Sequence, residues 1–152
     1  MRRPLLLALI GLGLLVFLAI SALLARAFSV AGAEQAAITS LVQAEARGDS
    51  ASVIADIQNC ARSQACRQRA EADAGTLKRS GAVAILELNP SSSFSLAGTL
   101  GTARVAWKTP SSLPIVQCVR VRHAGNVLSG MRVELLTLSA RVESDSVCPN
   151  RF

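Results

Sequence analysis

The sequence predicts an α+β domain in which three N-terminal helices pack on a mainly antiparallel sheet, preceded by one transmembrane helix. Three observations predict this class. An uncharged apolar run covers residues 5–25. Apolar residues then recur at helical spacing from residue 33 to about residue 79, and after Gly81 they alternate as in β-strands. Helices followed by strands are typical of α+β domains with helices on one face of a sheet.

The apolar run is long enough to cross a bilayer, which takes about 20 helical residues. It also exceeds the roughly 7–15 residues of a signal-peptide core. We therefore interpret residues 1–27 as a membrane anchor and residues 28–32 as a short juxtamembrane linker. A cleaved signal is the alternative, because Ala31-Gly32-Ala33 is a small-x-small site that would release a secreted protein after Ala33.

Orientation follows from the positive charges that flank the apolar run. Arg2 and Arg3 favour a cytoplasmic N-terminus, and Arg26 opposes them only weakly. The sequence thus predicts a single-pass protein of the cell membrane with an extracytoplasmic C-terminal domain. The alternative, cleavage near Ala33, places the domain on the same side.

The net charge of +6 is partly a topology signal. Past Arg26 the chain has 13 basic and 10 acidic residues. With one Trp, four Phe and no Tyr, it lacks the aromatic side chains of a base-stacking surface. The composition therefore argues against a nucleic-acid partner. The partner that the sequence predicts most directly is the membrane, through the N-terminal helix.

Four cysteines in an exported domain predict two disulfides. Of the three possible pairings we favour the one that joins neighbours in sequence: Cys60 with Cys66 and Cys118 with Cys148. A zinc site is disfavoured, because the chain has no CxxC pair and no histidine cluster. We predict neither a metal nor a cofactor.

Each bridge carries a structural consequence. Six residues of straight helix would separate Cys60 from Cys66 by about 9 Å, beyond the roughly 7 Å that a disulfide allows. The chain must therefore turn between them, and Ser63 is placed to cap the helix that follows. The second bridge ties the C-terminal tail, residues 144–152, back onto a strand.

The body of the protein, residues 33–143, divides into helices and strands. Gly48 ends the first helix and Asp49 caps the second. The predicted helices cover residues 33–47, about 50–60 and 64–79. The predicted strands cover residues 82–88, 99–108, 115–123 and 127–142, with a tight turn at 124–126 and a bulge near Gly130.

Strand alternation predicts a basic sheet face, made of Arg104, Lys108, Arg120, Arg122 and Arg132. We interpret it as a solvated outer face. A contact with anionic lipid headgroups or an acidic partner is the alternative, since the anchor holds the domain close to the membrane.

The helix–Gly-Asp–helix opening AEARGDSASVIADI and the paired strands ending VRVRHAGNVLSGMRVELLTLSARV resemble the nuclear-transport-factor-2-like superfamily (SnoaL-like, cystatin-like cone). The likeness covers residues 33–142 and is closest to membrane-anchored, extracytoplasmic members. The resemblance implies a curved sheet wrapped around a conical pocket, which Trp107, Phe94 and Val105 would line. In enzymatic members the cone holds an acid or base and an oxyanion donor.

The chain offers few groups for such chemistry. Its sheet carboxylates are Glu87 and Glu134, and we expect Glu134 to pair with Arg132 on the surface. Asp56 is expected on an exposed helical face, and His123, the single histidine, at an exposed hairpin end. Ser91 lies in a turn without a nucleophile motif. No catalytic residues are predicted.

Two functions remain open. The first is a membrane-tethered extracytoplasmic binding or scaffold domain that contacts an envelope protein or a small ligand. The second is a cone-type isomerase or hydratase that acts on a small apolar molecule near the membrane. A deep cone holding a buried carboxylate with a raised pKa would favour the enzyme, whereas a filled cone would argue against it.

Overall fold

Three α-helices precede a four-stranded antiparallel sheet in the computed structural model, which describes residues 2–91, 97–126, 130–143, 146–149 and 152. The α+β class is confirmed. The helices are α1 (Arg2–Arg47), α2 (Ser50–Asp56) and α3 (Gln64–Thr76), with a short 3-10 helix at Cys60–Arg62. The strands are β1 (Ala84–Asn89), β2 (Ala97–Lys108), β3 (Ile115–Asn126) and β4 (Gly130–Leu138).

Helix α1 joins two segments that the sequence analysis separates. Its 46 residues include the apolar run, residues 28–32 and the first helix of the domain. Residues 28–32 are therefore helical, and the domain has no separate first helix. The physical reason is local: no proline follows Pro4 in α1, and alanine is frequent where the two segments meet.

The two halves of α1 differ in their surroundings. The large apolar side chains between Leu7 and Leu24 are 49–68% exposed, whereas Ile38, Leu41 and Val42 are fully buried. The N-terminal half holds an 18-residue stretch with a mean hydropathy of 2.8. It has the length and composition of a membrane anchor or of a signal sequence.

Three residues at helix ends confirm the predictions made for them from the sequence. Gly48 ends α1 with φ 74°, a left-handed conformation that favours glycine. Asp49 then accepts hydrogen bonds from the Ser52 backbone N–H at 3.0 Å and from the Ser52 hydroxyl at 2.6 Å. Ser63 accepts from the Cys66 backbone N–H at 3.3 Å and so caps α3.

Helices α2 and α3 each end earlier than predicted, because tertiary contacts direct the chain away from the helix at its C-terminal end. Ile57 is extended, bridges Leu135 in parallel register and ends α2. Gln58 N–H then donates to Leu135 O at 2.7 Å. After α3, Arg79 N–H donates to Ala46 O at 2.8 Å, which turns the chain toward the end of α1.

Both disulfides form as predicted. Cys60 and Cys66 have Cα atoms 5.2 Å apart, across the 3-10 helix and the Ser63 cap. Cys118 and Cys148 have Cα atoms 5.8 Å apart and hold the C-terminal tail against β3. Among the described residues no cysteine is free.

The sheet is a meander in the order β1-β2-β3-β4. Predicted strands and observed strands agree in number and order, but two details are corrected. Residues 124–126 belong to β3 rather than to a turn, and β4 ends at Leu138 rather than at residue 142. The register shift of β4 lies opposite Arg120/Val121 rather than near Gly130; the start predicted at residue 127 falls outside the described residues.

One sheet face and the domain half of α1 form the core. Val105, Trp107, Val119 and Val121 are fully buried on this face. They pack against α1 and α2 together with Val53. The opposite face carries the predicted basic residues. After β4 the chain continues alongside β3, where Val142 bridges Val116, and Cys148 then ties the tail to Cys118.

Candidate functional site

A buried polar cluster joins α1, the β1–β2 loop and β3. The Glu34 side chain is 1% exposed and contacts His123 and Ser91. Its Oε2 lies 2.8 Å from His123 Nε2 and accepts from the Ser91 hydroxyl at 3.1 Å. Its Oε1 accepts from the Ser91 backbone N–H at 2.8 Å. We call Glu34, Ser91 and His123 the α1–loop cluster.

This cluster corrects the expectation for His123, which is 6% exposed rather than exposed. Gly101 on the neighbouring strand makes room for the cluster, because a Cβ there would overlap the Ser91 side chain. The Ser91 hydroxyl donates to Glu34 rather than to the imidazole. The arrangement therefore fastens the loop to the helix and does not activate a serine nucleophile, which needs a base bonded to its hydroxyl.

A second buried carboxylate lies deeper in the domain. Trp107 Nε1 donates to Gln117 Oε1 at 2.8 Å, and Gln117 Nε2 donates to Glu45 Oε1 at 3.0 Å. All three side chains are fully buried. Glu45 Oε2 has no hydrogen-bond partner among the described residues. We call Glu45, Gln117 and Trp107 the core relay.

The environment of Glu45 disfavours its charged form. Burial raises the pKa of Glu45 to about 7, and the Asp73 charge adds to the rise, while the Gln117 hydrogen bond opposes it. A carboxyl with such a pKa is suited to proton transfer near neutral pH. Glu45 is nevertheless sealed from solvent, because its side chain is fully buried.

The predicted pocket residues lie in the core. Trp107 and Val105 are fully buried and face α1 across the filled interior. Phe94 lies outside the described residues. The structure thus places Trp107 in the core relay and Val105 among apolar neighbours.

The basic residues do share one sheet face, but several contact other groups. Arg122 Nε donates to Glu134 at 2.6 Å, and its Nη2 donates to Gln58 at 2.6 Å. Glu134 therefore pairs with Arg122 rather than with Arg132, because the two face each other in the β3–β4 register.

The remaining members of the basic face differ in exposure. Arg104 lies 3.5 Å from the Glu87 carboxylate, and the Arg120 guanidinium lies 5.3 Å from the centre of the Phe152 ring. Lys108 and Arg132 are exposed. The positive charge of this face is therefore partly neutralised by two carboxylates. Glu87 lies beside Arg104, and Glu134 pairs with Arg122.

An open groove of about 460 Å³ lies between α1, the end of α2 and β4. Asp56 is exposed on this groove, as the sequence predicts, and accepts from the Ser40 hydroxyl at 3.3 Å. Glu134 and Gln58 also line it. The groove has acidic and amide groups at its wall and no buried catalytic group among its described residues.

A more apolar cavity of about 270 Å³ lies between α2, α3 and β4. Val53, Ala70 and Leu138 form buried parts of its wall. Phe152, at the end of the tail, closes one side. Two polar side chains, Asp73 on α3 and Thr137 on β4, also line the cavity. We call this space the α3 cavity.

The sequence analysis missed Glu34 and Glu45, although their spacing carries a signal. Both fall on the helical face defined by Ile38, Leu41 and Val42. A carboxylate on an apolar helix face predicts a buried, partnered group. Gln117 gives a similar signal, because it alternates with the buried residues Ile115 and Val119.

Among the described residues no group of three or more histidine, cysteine or carboxylate side chains is arranged to hold a metal ion. Comparisons of the chain with protein-family models, with curated proteins and with solved structures find no match. The residues and geometry of this chain alone therefore carry the functional assignment.

Proposed function

We propose that this protein is a membrane-tethered binding domain that works outside the cytoplasm. Continuity of α1 carries the proposal. One half of this helix exposes large apolar side chains around its whole circumference, and the other half packs into the domain core. Exposure of this apolar surface to water is unfavourable, because no part of the protein covers it. Insertion of the helix into a bilayer removes that surface from water and is favourable.

The cysteines support the extracytoplasmic side. Two disulfides with ordinary Cα separations account for Cys60, Cys66, Cys118 and Cys148. Disulfides of this kind persist in oxidising compartments and are rare in the cytosol. Arg2 and Arg3 before the apolar run favour the same orientation.

The core relay favours binding over catalysis. A cone-type enzyme needs its acid or base to reach the substrate. Glu45 has a raised pKa, but Gln117 and Trp107 fill the space in front of it. A relationship to the nuclear-transport-factor-2-like superfamily remains our interpretation of the order of helices and strands, and a binding role requires no open cone.

A paired reporter experiment tests the topology. The full chain is fused at its C-terminus either to alkaline phosphatase, which folds actively only outside the cytoplasm, or to a reporter active only inside. We expect phosphatase activity in the membrane fraction that resists carbonate extraction. Activity of the cytoplasmic reporter alone would overturn the proposal.

The same fusions separate an anchor from a cleaved signal. Cleavage after Ala33 would shorten the fusion by 33 residues and release it from the membrane. The matched control is Ala31→Leu, which removes the small residue needed for cleavage. We expect the native and control fusions to have the same size and membrane content, and a shorter, released native fusion would refute the tether.

A further inference from the structure

The α3 cavity has the wall of a small-molecule site. Its buried surface comes from Val53, Ile57, Ala70 and Leu138, which are each at most 4% exposed. Its volume of about 270 Å³ is just below the roughly 300–1,000 Å³ of sites for drug-sized ligands. An apolar wall of this size favours a compact ligand over a long lipid chain.

Two oxygen atoms in this wall lack hydrogen-bond partners among the described residues. They are Asp73 Oδ2 on α3 and Thr137 Oγ1 on β4. Both atoms are buried in this structure, so their unmade hydrogen bonds cost free energy, which a bound molecule can recover once the two side chains rotate toward the cavity. Their presence on the α3 and β4 walls of one cavity distinguishes it from the open groove beside Asp56, whose lining holds no such atom.

The polar requirements of the wall restrict the ligand further. Asp73 Oδ2 is an acceptor, so the ligand must supply a hydrogen-bond donor. Burial raises the pKa of Asp73, and the charge of Arg69, which lies one turn away on α3 and also lines the cavity, opposes this rise. Because this cation already compensates the carboxylate, a neutral donor suits the site better than an ammonium group.

We propose that the α3 cavity binds a small, uncharged and largely apolar molecule whose hydroxyl group hydrogen-bonds Asp73 and Thr137. This inference rests on the proposed binding function and specifies its ligand class. Ser63, Ala65 and Arg69 are exposed at the rim and leave a path for entry. Phe152 adds an aromatic wall and is held near the cavity by the tail, which Cys148 anchors to β3.

Matched probes test the hydroxyl requirement. The full chain, reconstituted in lipid nanodiscs, is titrated with 2-naphthol or with 2-methylnaphthalene, which has a methyl group in place of the hydroxyl. Methyl NMR signals of Val53 and Leu138 report binding at the cavity wall. We expect saturable shifts and a Kd at least about tenfold lower for 2-naphthol, the ratio expected for one satisfied hydrogen bond to a buried charged group.

Two variants locate the site. Ala65→Trp fills the rim at an exposed position that tolerates substitution, and it should raise the Kd of both probes at least about tenfold. Thr137→Val keeps the side-chain shape and removes one of the two hydrogen bonds but leaves Asp73 in place, so it should reduce the ratio of the two Kd values about threefold without abolishing it. Thr102→Val, on β2 and outside the lining of the cavity, is the control and should change neither Kd.

The outcomes are distinct. Equal Kd values for the two probes in the native chain would overturn the hydroxyl class. Absence of shifts, or shifts that persist in Ala65→Trp, would overturn the site itself. Either result leaves the reporter experiment on topology unaffected, so failure of the cavity proposal and failure of the tether proposal are separable.

Discussion

Glu34 and His123 share a buried hydrogen bond of 2.8 Å although 89 residues separate them in the chain. The contact joins the part of α1 that follows the apolar segment to β3, near the end of β3 that leads into β4. Since Glu34 also accepts from Ser91, one carboxylate fixes a helix, a loop and a strand together. The cluster therefore sets how the sheet sits on the helix that carries the domain.

Removal of this carboxylate should destabilise the domain strongly. Glu34→Ala leaves His123 and the Ser91 backbone N–H buried without their acceptor, and we expect a loss of about 3 kcal/mol of unfolding free energy. Trp107, the single tryptophan, is fully buried, so its fluorescence reports urea unfolding in detergent. The control Gln35→Ala alters an exposed neighbour and should cost under about 0.5 kcal/mol. Equal losses in both variants would contradict the role of the cluster.

The core relay predicts a stability that falls with rising pH. Glu45 has a pKa of about 7 in the folded domain against 4.5 for a solvated glutamate, so as the pH rises the unfolded chain releases this proton first. Stability from this group is complete below pH 4.5, declines through the window up to about pH 7 and is then constant. Since a shift of one pKa unit corresponds to about 1.36 kcal/mol, the total loss of unfolding free energy is about 3 kcal/mol.

Glu45→Gln should remove this dependence. The amide keeps an acceptor for Gln117 and carries no charge, so the variant should be more stable than the native chain at pH 8 and similar to it at pH 4.5. Urea unfolding at both pH values measures the difference, with Glu71→Gln on the exposed side of α3 as control. A native chain that gains stability between these pH values through Glu45 would refute the buried, protonated carboxyl.

The fold class was predictable because it rests on local signals. Gly48, Asp49 and Ser63 act within three residues of their own positions, so their caps could be read from sequence. The end of α2 could not, since Ile57 leaves the helix to bridge Leu135, a residue 78 positions away. The merging of anchor and first helix was not predicted, although residues 28–32 contain no proline and only one glycine, Gly32, which a long helix tolerates at a cost of about 1 kcal/mol.

The candidate sites were less predictable, because they depend on partners that are distant in sequence. The alternation of polar and apolar residues predicted the sheet face of Arg122 but not its partner. That partner, Glu134, is set by the register between β3 and β4. His123 sits near a hairpin end, where exposure is the ordinary expectation, and Glu34 overrides it. The two orphan oxygens of the α3 cavity have no sequence signature, since each is defined by the absence of a neighbour.

The two disulfides should differ in their contribution to stability. The Cys118–Cys148 bridge spans 30 residues and the Cys60–Cys66 bridge only 6. In the chain-entropy relation these separations correspond to about 3.5 and about 2 kcal/mol. To compare the two contributions, both cysteines of one bridge are replaced by serine, and the unfolding free energy of each double variant is measured in urea. A larger loss from the short bridge would show that strain or packing, rather than loop closure, dominates.

Continuity of α1 gives the sharpest test of how the domain is held. In an unbroken helix, spin labels at exposed positions 22 and 43 lie about 32 Å apart along the axis, at 1.5 Å per residue. We expect a narrow distance distribution near this value in nanodiscs. Gly32→Pro removes a helical hydrogen bond and clashes with the preceding turn, so it should shorten and broaden the distribution.

The matched control for this break is Gly32→Ala. No atom lies within 4 Å of a Cβ placed at Gly32, so alanine fits and raises helix propensity by about 1 kcal/mol. The alanine variant should therefore keep or narrow the native distribution. A native distribution as broad as that of Gly32→Pro would show a hinge at residues 28–32. The domain would then be free to turn against the membrane instead of presenting one fixed side to it.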